Sequence, residues 1–139
     1  MKNKAFTLAE LMVVVIIIGI VAAFAIPNLR RSVERAHARE AINNLIAIHA
    51  ASHGFRSENG TFWPDTSASN NLIAINTNLN LNIIANQMTY ACTSPTNDGL
   101  TFSCTADFTG GGAWGLIVNE GPVVPGGGNP SCAYGGCAY

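Results

Sequence analysis

The sequence predicts an α+β protein. A long amino-terminal α-helix, an apolar stem followed by an amphipathic half, is expected to pack on a small antiparallel β-sheet head with a disulfide-closed, Gly/Pro-rich tail. Three observations carry this. Phe6 to Ile26 is a run of 21 residues in which only Thr7 and Glu10 are polar. Beyond it Ala38, Ala41, Ile42, Leu45, Ile48, Ser52 and Phe55 recur at three- and four-residue steps, the period of a helix with one buried face. Past residue 86, short β-type runs alternate with turn signals, and all four cysteines lie after residue 90.

The first element spans residues 6–28. About 20 apolar residues cross a bilayer, so this run is long enough to span one. Lys2 and Lys4 precede it, and Pro27, Asn28 and Arg30 follow it. A secretory signal would close on a small-residue cleavage site, which is missing here. Basic residues flank both ends, so the positive-inside rule does not settle the orientation. Glu10 is the second oddity, because an ionisable group at a membrane span is costly and calls for a partner.

Residues 29–60 continue the helix as its amphipathic half, giving roughly 80 Å of helix from Phe6 to Glu58 at about 1.5 Å per residue. Pro27 should kink it and Gly19 weaken it. Arg31, Arg35 and Arg39 stand at i, i+4 spacing, with Glu34 in reach of Arg30 or Arg31 and Glu40 nearby. His49 and His53 are also i, i+4, but no third metal ligand is evident, so no metal is expected. Asn59-Gly60 gives a helix stop and Pro64 prevents resumption.

Residues 61–139 form the expected head. Its connecting region, 61–86, is Asn-rich and interleaved with Leu and Ile, with one short helix expected near Asn70 to Asn76. The sheet region, 87–119, holds three strand candidates: Gln87 to Thr93, Leu100 to Ala106 and Ala113 to Asn119. Asn97-Asp98-Gly99 is a strong turn signal between the first two. Residues 120–139 read as a loop too rich in Gly and Pro for regular structure. A hairpin turning at Asp98 sets Cys92 opposite Cys104 and leaves Cys132 with Cys137. This pairing is favoured, and the two other connectivities stay open. Four cysteines behind a membrane-targeting start indicate an oxidising compartment.

From Ser57 to Tyr139 there is no Lys or Arg. The head therefore lacks the basic patch that phosphate contacts need, and direct nucleic-acid binding is not expected. No nucleophile stands near the histidines and the head's acids are scattered, so no catalytic residues, no enzyme activity and no cofactor are expected.

Ala5-Phe6-Thr7-Leu8-Ala9-Glu10, followed by an apolar helix with Gly19 and Pro27, resembles the amino terminus of type IV prepilins and the related pseudopilins. The resemblance is specific over residues 4–29. A second stretch, "SENGTFWPD" at 57–65, is similar to the segment after the long helix of major pilins and major pseudopilins. The resemblance implies that residues 1–5 are a leader cut between Ala5 and Phe6 by a prepilin peptidase, which also N-methylates Phe6. Ala5 departs from the usual Gly, which bears on cleavage efficiency. Glu10 becomes the fifth mature residue. Its carboxylate is expected to meet the Phe6 amine of a neighbouring subunit, because pairing offsets much of the cost of burying either charge. The helix between Gly19 and Pro27 is expected to lose helicity in an assembled filament.

The function so implied is a structural subunit polymerising into a type IV pilus, for adhesion, motility or uptake. The partners are other copies of the chain, the prepilin peptidase and methyltransferase, and an inner-membrane assembly platform. The precursor would sit in the inner membrane and the product in a surface filament. The alternative is a major pseudopilin of a type II secretion system. Those usually carry an acidic calcium-binding loop near the carboxyl end, whereas Glu120 to Pro130 holds one acid. A third reading, a membrane-anchored binding module that never polymerises, leaves Glu10 unexplained.

Overall fold

A computed structural model describes residues 6–64, 71–96, 98–110, 114–120 and 130–137. The protein is α+β, with element order α1 (Leu8–Asn59), α2 (Leu72–Asn78), β1 (Met88–Thr93), β2 (Phe102–Phe108), β3 (Gly115–Glu120) and β4 (Ser131–Tyr134). The chain divides into two compact units, a stem up to Arg35 and a head from Ala36.

The stem is helix alone. The helix runs without a break through Gly19 and Pro27. Its large apolar side chains are exposed throughout, from Leu8 through the Val13–Ile18 run to Leu29. The helix is long and apolar enough to cross a membrane.

In the head the same helix turns amphipathic. Ala38, Ala41, Leu45, Ile48 and Ser52 are completely buried, the stripe expected from their spacing. Ser52 tolerates this because its hydroxyl donates to the Ile48 carbonyl, 2.8 Å away. The helix stops at Gly60, whose N–H bonds the Arg56 carbonyl at 2.8 Å. Its φ of +81° is the left-handed conformation that glycine adopts without steric cost.

The sheet is a four-stranded antiparallel meander, order β1-β2-β3-β4. Met88, Tyr90 and Cys92 alternate inward from β1, Phe102, Cys104 and Ala106 from β2, and Leu116 and Val118 from β3. These meet the α1 stripe in one core, closed by Phe62, Ile75, Leu79 and Ile83 from the connecting region. Asn44 Nδ2 donates to the Tyr90 hydroxyl at 2.8 Å, fixing helix to sheet. Burial pushes the Tyr90 hydroxyl pKa up, with the Asn44 bond opposing.

Several expectations need correction. The short helix starts later than Asn70, because Asn71 caps it: its side chain accepts from the Ala74 N–H at 3.3 Å. Strands β2 and β3 run later than expected and reach Phe108 and Glu120. The largest difference is β4, in a stretch whose composition predicted a loop. Leu116 pairs with Cys132 and Ile117 with Ser131, so β3 supplies the ladder that composition argued against. The Tyr134 hydroxyl donates to Asp107 Oδ1 at 2.8 Å across Gly115. A Cβ at Gly115 would meet the Tyr134 ring at 2.6 Å, so that crossing needs glycine. Ala113, Asn97 and residues 121–129 lie outside the described residues.

Candidate functional site

Two places in the chain gather chemistry. The first is the start of the stem. Thr7 and Glu10 form a reciprocal capping box. The Thr7 N–H and hydroxyl both donate to Glu10 Oε2, at 2.8 and 2.9 Å, and the Glu10 N–H donates to Thr7 Oγ1 at 3.2 Å. Two amides that would otherwise lack helical partners are satisfied, and the carboxylate is held at the helix's positive end. Among the described residues nothing bonds Glu10 Oε1, and Phe6 beside it is 79% exposed. Phe6, Ala9, Glu10, Val13 and Val14 line an open groove along this face. Ala5 and the leader lie outside the described residues. Sequence reasoning missed the role of Thr7, although Thr-x-x-Glu before an apolar run is the signature that reveals it.

Residues 1–26 match the family described as the prokaryotic N-terminal methylation motif. The type IV major pilin protein PilA of Myxococcus xanthus is 51% identical over 57 residues, 41% of this chain and 26% of that protein. The type II secretion system core protein G of Vibrio cholerae is 38% identical over 61 residues, 44% of this chain and 42% of that protein. Its Escherichia coli counterpart is 36% identical over 58 residues, 42% of this chain and 40% of that protein. The stem is similar to those of type IV pilins and type II secretion pseudopilins. The matched stretch spans less than half the length of these relatives. No solved structure matches. The matched relatives are a major pilin and type II secretion core proteins, not enzymes.

The disulfides lie in the head. Cys92 and Cys104 stand directly opposite in the β1–β2 ladder and are joined. Cys132–Cys137 closes the tail. The first bond is fully buried and welds two core strands, whereas the second lies at the surface.

The second place is on the head's half of α1. His49 Nε2 lies 3.0 Å from Glu120 Oε2, and His53 Nε2 lies 3.6 Å from the same oxygen. Sequence spacing offered no third group beside these histidines, and the structure corrects this by supplying Glu120. Leu116, Val118 and Glu120 share one face of β3, so the pleat that buries the first two turns the acid toward the helix. That alternation was present in the sequence. The meeting with His49 was not. The His49 hydrogen bond, ahead of His53's charge, holds the Glu120 carboxyl below the ordinary glutamate range, with partial burial opposing.

The arginines form no such cluster. Among the described residues, no arginine lies within ion-pair distance of a carboxylate, so Glu34 makes neither of the Arg30 and Arg31 contacts that its spacing allows. Arg56 instead stacks over the Phe62 ring, 4.7 Å from its centroid.

Proposed function

We propose that the chain is a structural subunit that polymerises, through its stem, into a type IV pilus. The observation that carries this reading is a pilin-type stem with its large apolar side chains exposed and one carboxylate at its start. Such a surface needs a bilayer before assembly and neighbouring stems afterwards. Cleavage between Ala5 and Phe6 frees an amine one residue from Thr7. Glu10 Oε1 then takes the Phe6 amine of a neighbour while Oε2 keeps the cap. The Gly19–Pro27 stretch yields helicity as stems pack. The precursor belongs in the inner membrane, where a peptidase, a methyltransferase and an assembly platform act on it, and the product in a surface filament. The leader ends at residue 5, the filament-core helix spans 6–28, its amphipathic half 29–60, and the globular region beyond the helix, the part of the head that follows α1, 61–139.

The pilus is preferred to a secretion pseudopilus because Glu120 to Pro130 carries one acid, too few for a calcium loop. The likeness to type II secretion core protein G favours the second reading. Electron microscopy of sheared cell-surface fractions tests the two. Long filaments containing this chain, with mass spectrometry giving N-methylated Phe6 as first residue, support the pilus. Absent filaments beside a secretion defect support the pseudopilus, and an intact leader in assembled material overturns the processing.

A further inference from the structure

We infer that His49, His53 and Glu120 form a binding site for a divalent transition cation of the zinc class, clamping the end of β3 to α1. The site lies in the head alone and is independent of the filament reading. The three ligand atoms, one from each residue, lie within 4.8 Å of one another. Both histidines already aim Nε2 at one carboxylate oxygen, at 3.0 and 3.6 Å. Ligands about 2.0–2.2 Å from a tetrahedral zinc sit roughly 3.3–3.5 Å apart, so these separations bracket what the ion requires.

The set is prepared by elements that exist for other reasons. The helix puts the two imidazoles on one face, one turn apart, with ring centroids 4.7 Å apart. Strand alternation delivers the acid. Phe102 lies 5.8 Å from the His49 ring and Phe62 lies 5.3 Å from the His53 ring, and these two aromatics touch each other at 4.9 Å. They wall the inner side of the cluster and limit how the imidazoles turn, the role an apolar shell plays around metal ligands. Arg56, the nearest cation along the helix, is turned onto Phe62.

Donor chemistry selects the ion. Two neutral imidazoles with one carboxylate suit zinc, nickel or copper, whereas calcium and magnesium require more oxygen ligands. His53 is 45% and Glu120 39% exposed at the side chain, so the outer side is open. Three protein ligands leave the fourth position to water or to a side chain of a second molecule.

The test is isothermal titration of the full chain in detergent micelles with zinc chloride, with magnesium chloride as the hard-cation control. One zinc per chain is expected, with no magnesium response and a melting temperature that rises with zinc concentration. His53→Ala and Glu120→Gln should each weaken zinc at least about tenfold, for each removes one ligand of three. His37→Ala, a histidine paired with Glu40 at 3.8 Å and outside the cluster, should leave binding unchanged. Zinc-edge X-ray absorption on the unmodified chain should report two imidazoles in the first shell, so the inference stays testable if a variant fails to fold. No zinc binding, equal affinity in His53→Ala and Glu120→Gln to the unmodified chain, or a first shell without imidazole would overturn it.

Discussion

Stem and head share one helix and put it to opposite uses. Up to Arg35 nearly every large apolar side chain is exposed, while from Ala38 onward a stripe of the same helix is sealed. The stem carries more apolar surface than the head's half of the helix and buries none of it. Hydrophobicity alone therefore does not specify a fold. The head pairs its apolar stripe with a sheet from its own chain. The stem has no such partner among the described residues, and the proposed function gives it a bilayer and other stems.

The contrast between stem and head is most exposed to disproof at Glu10. Glutamine at the third helical position can still serve a capping box, so Glu10→Gln keeps the helix start and removes only the charge. Association of stems should weaken roughly a hundredfold or more, since one half of a buried pair would lack its counter-charge. The expected result is few or no filaments by microscopy, with unchanged thermal unfolding of the head. Normal filament yield would refute the pairing.

Packing separates the two regions next. Leu45→Ala opens a cavity under a fully buried side chain and should destabilise the head by about 2–5 kcal/mol. Val14→Ala, in the exposed stem, should leave head unfolding within about 0.5 kcal/mol. Calorimetry of both in micelles checks the contrast, and equal effects would show that the units are not separate.

Cys92→Ser removes a core bond whose partners lie 12 residues apart, which should cost the head up to about 3 kcal/mol and raise protease sensitivity. Peptide mapping without reductant should link Cys92 to Cys104. At the other end, Thr7→Ala dismantles the cap from its hydroxyl side and should weaken the helix start by about 0.5–2 kcal/mol. Amide exchange would then quicken in the stem's first turn alone.

The smallest effect expected is at Asp98. The Thr96 hydroxyl first, then the Leu100 N–H, hold this carboxyl below the ordinary aspartate value. Its contribution to the head is therefore present above that ordinary value and fades as pH falls through the lower, folded one. Asp98→Asn should flatten this acid limb slightly, read as melting temperature against pH.

The stem was legible in the sequence, because a membrane-length apolar run and a motif of fixed spacing are local properties. The head's helical stripe was legible for the same reason: period 3.6 can be read without knowing the partner. Cys92 opposite Cys104 was also within reach, since a short hairpin about Asp98 leaves little freedom of register. The Thr7–Glu10 cap was equally local, and its spacing alone would have revealed it. Other features belonged to the tertiary structure. Strand β4 exists because β3 offers an edge to the Gly-rich tail, and a ladder supplied from elsewhere leaves no mark in its own composition. The cluster of Glu120 with His49 and His53 joins residues about seventy apart. The parity of β3 aimed the acid at one face, but only the packing of sheet on helix decided which side chains stood there to meet it.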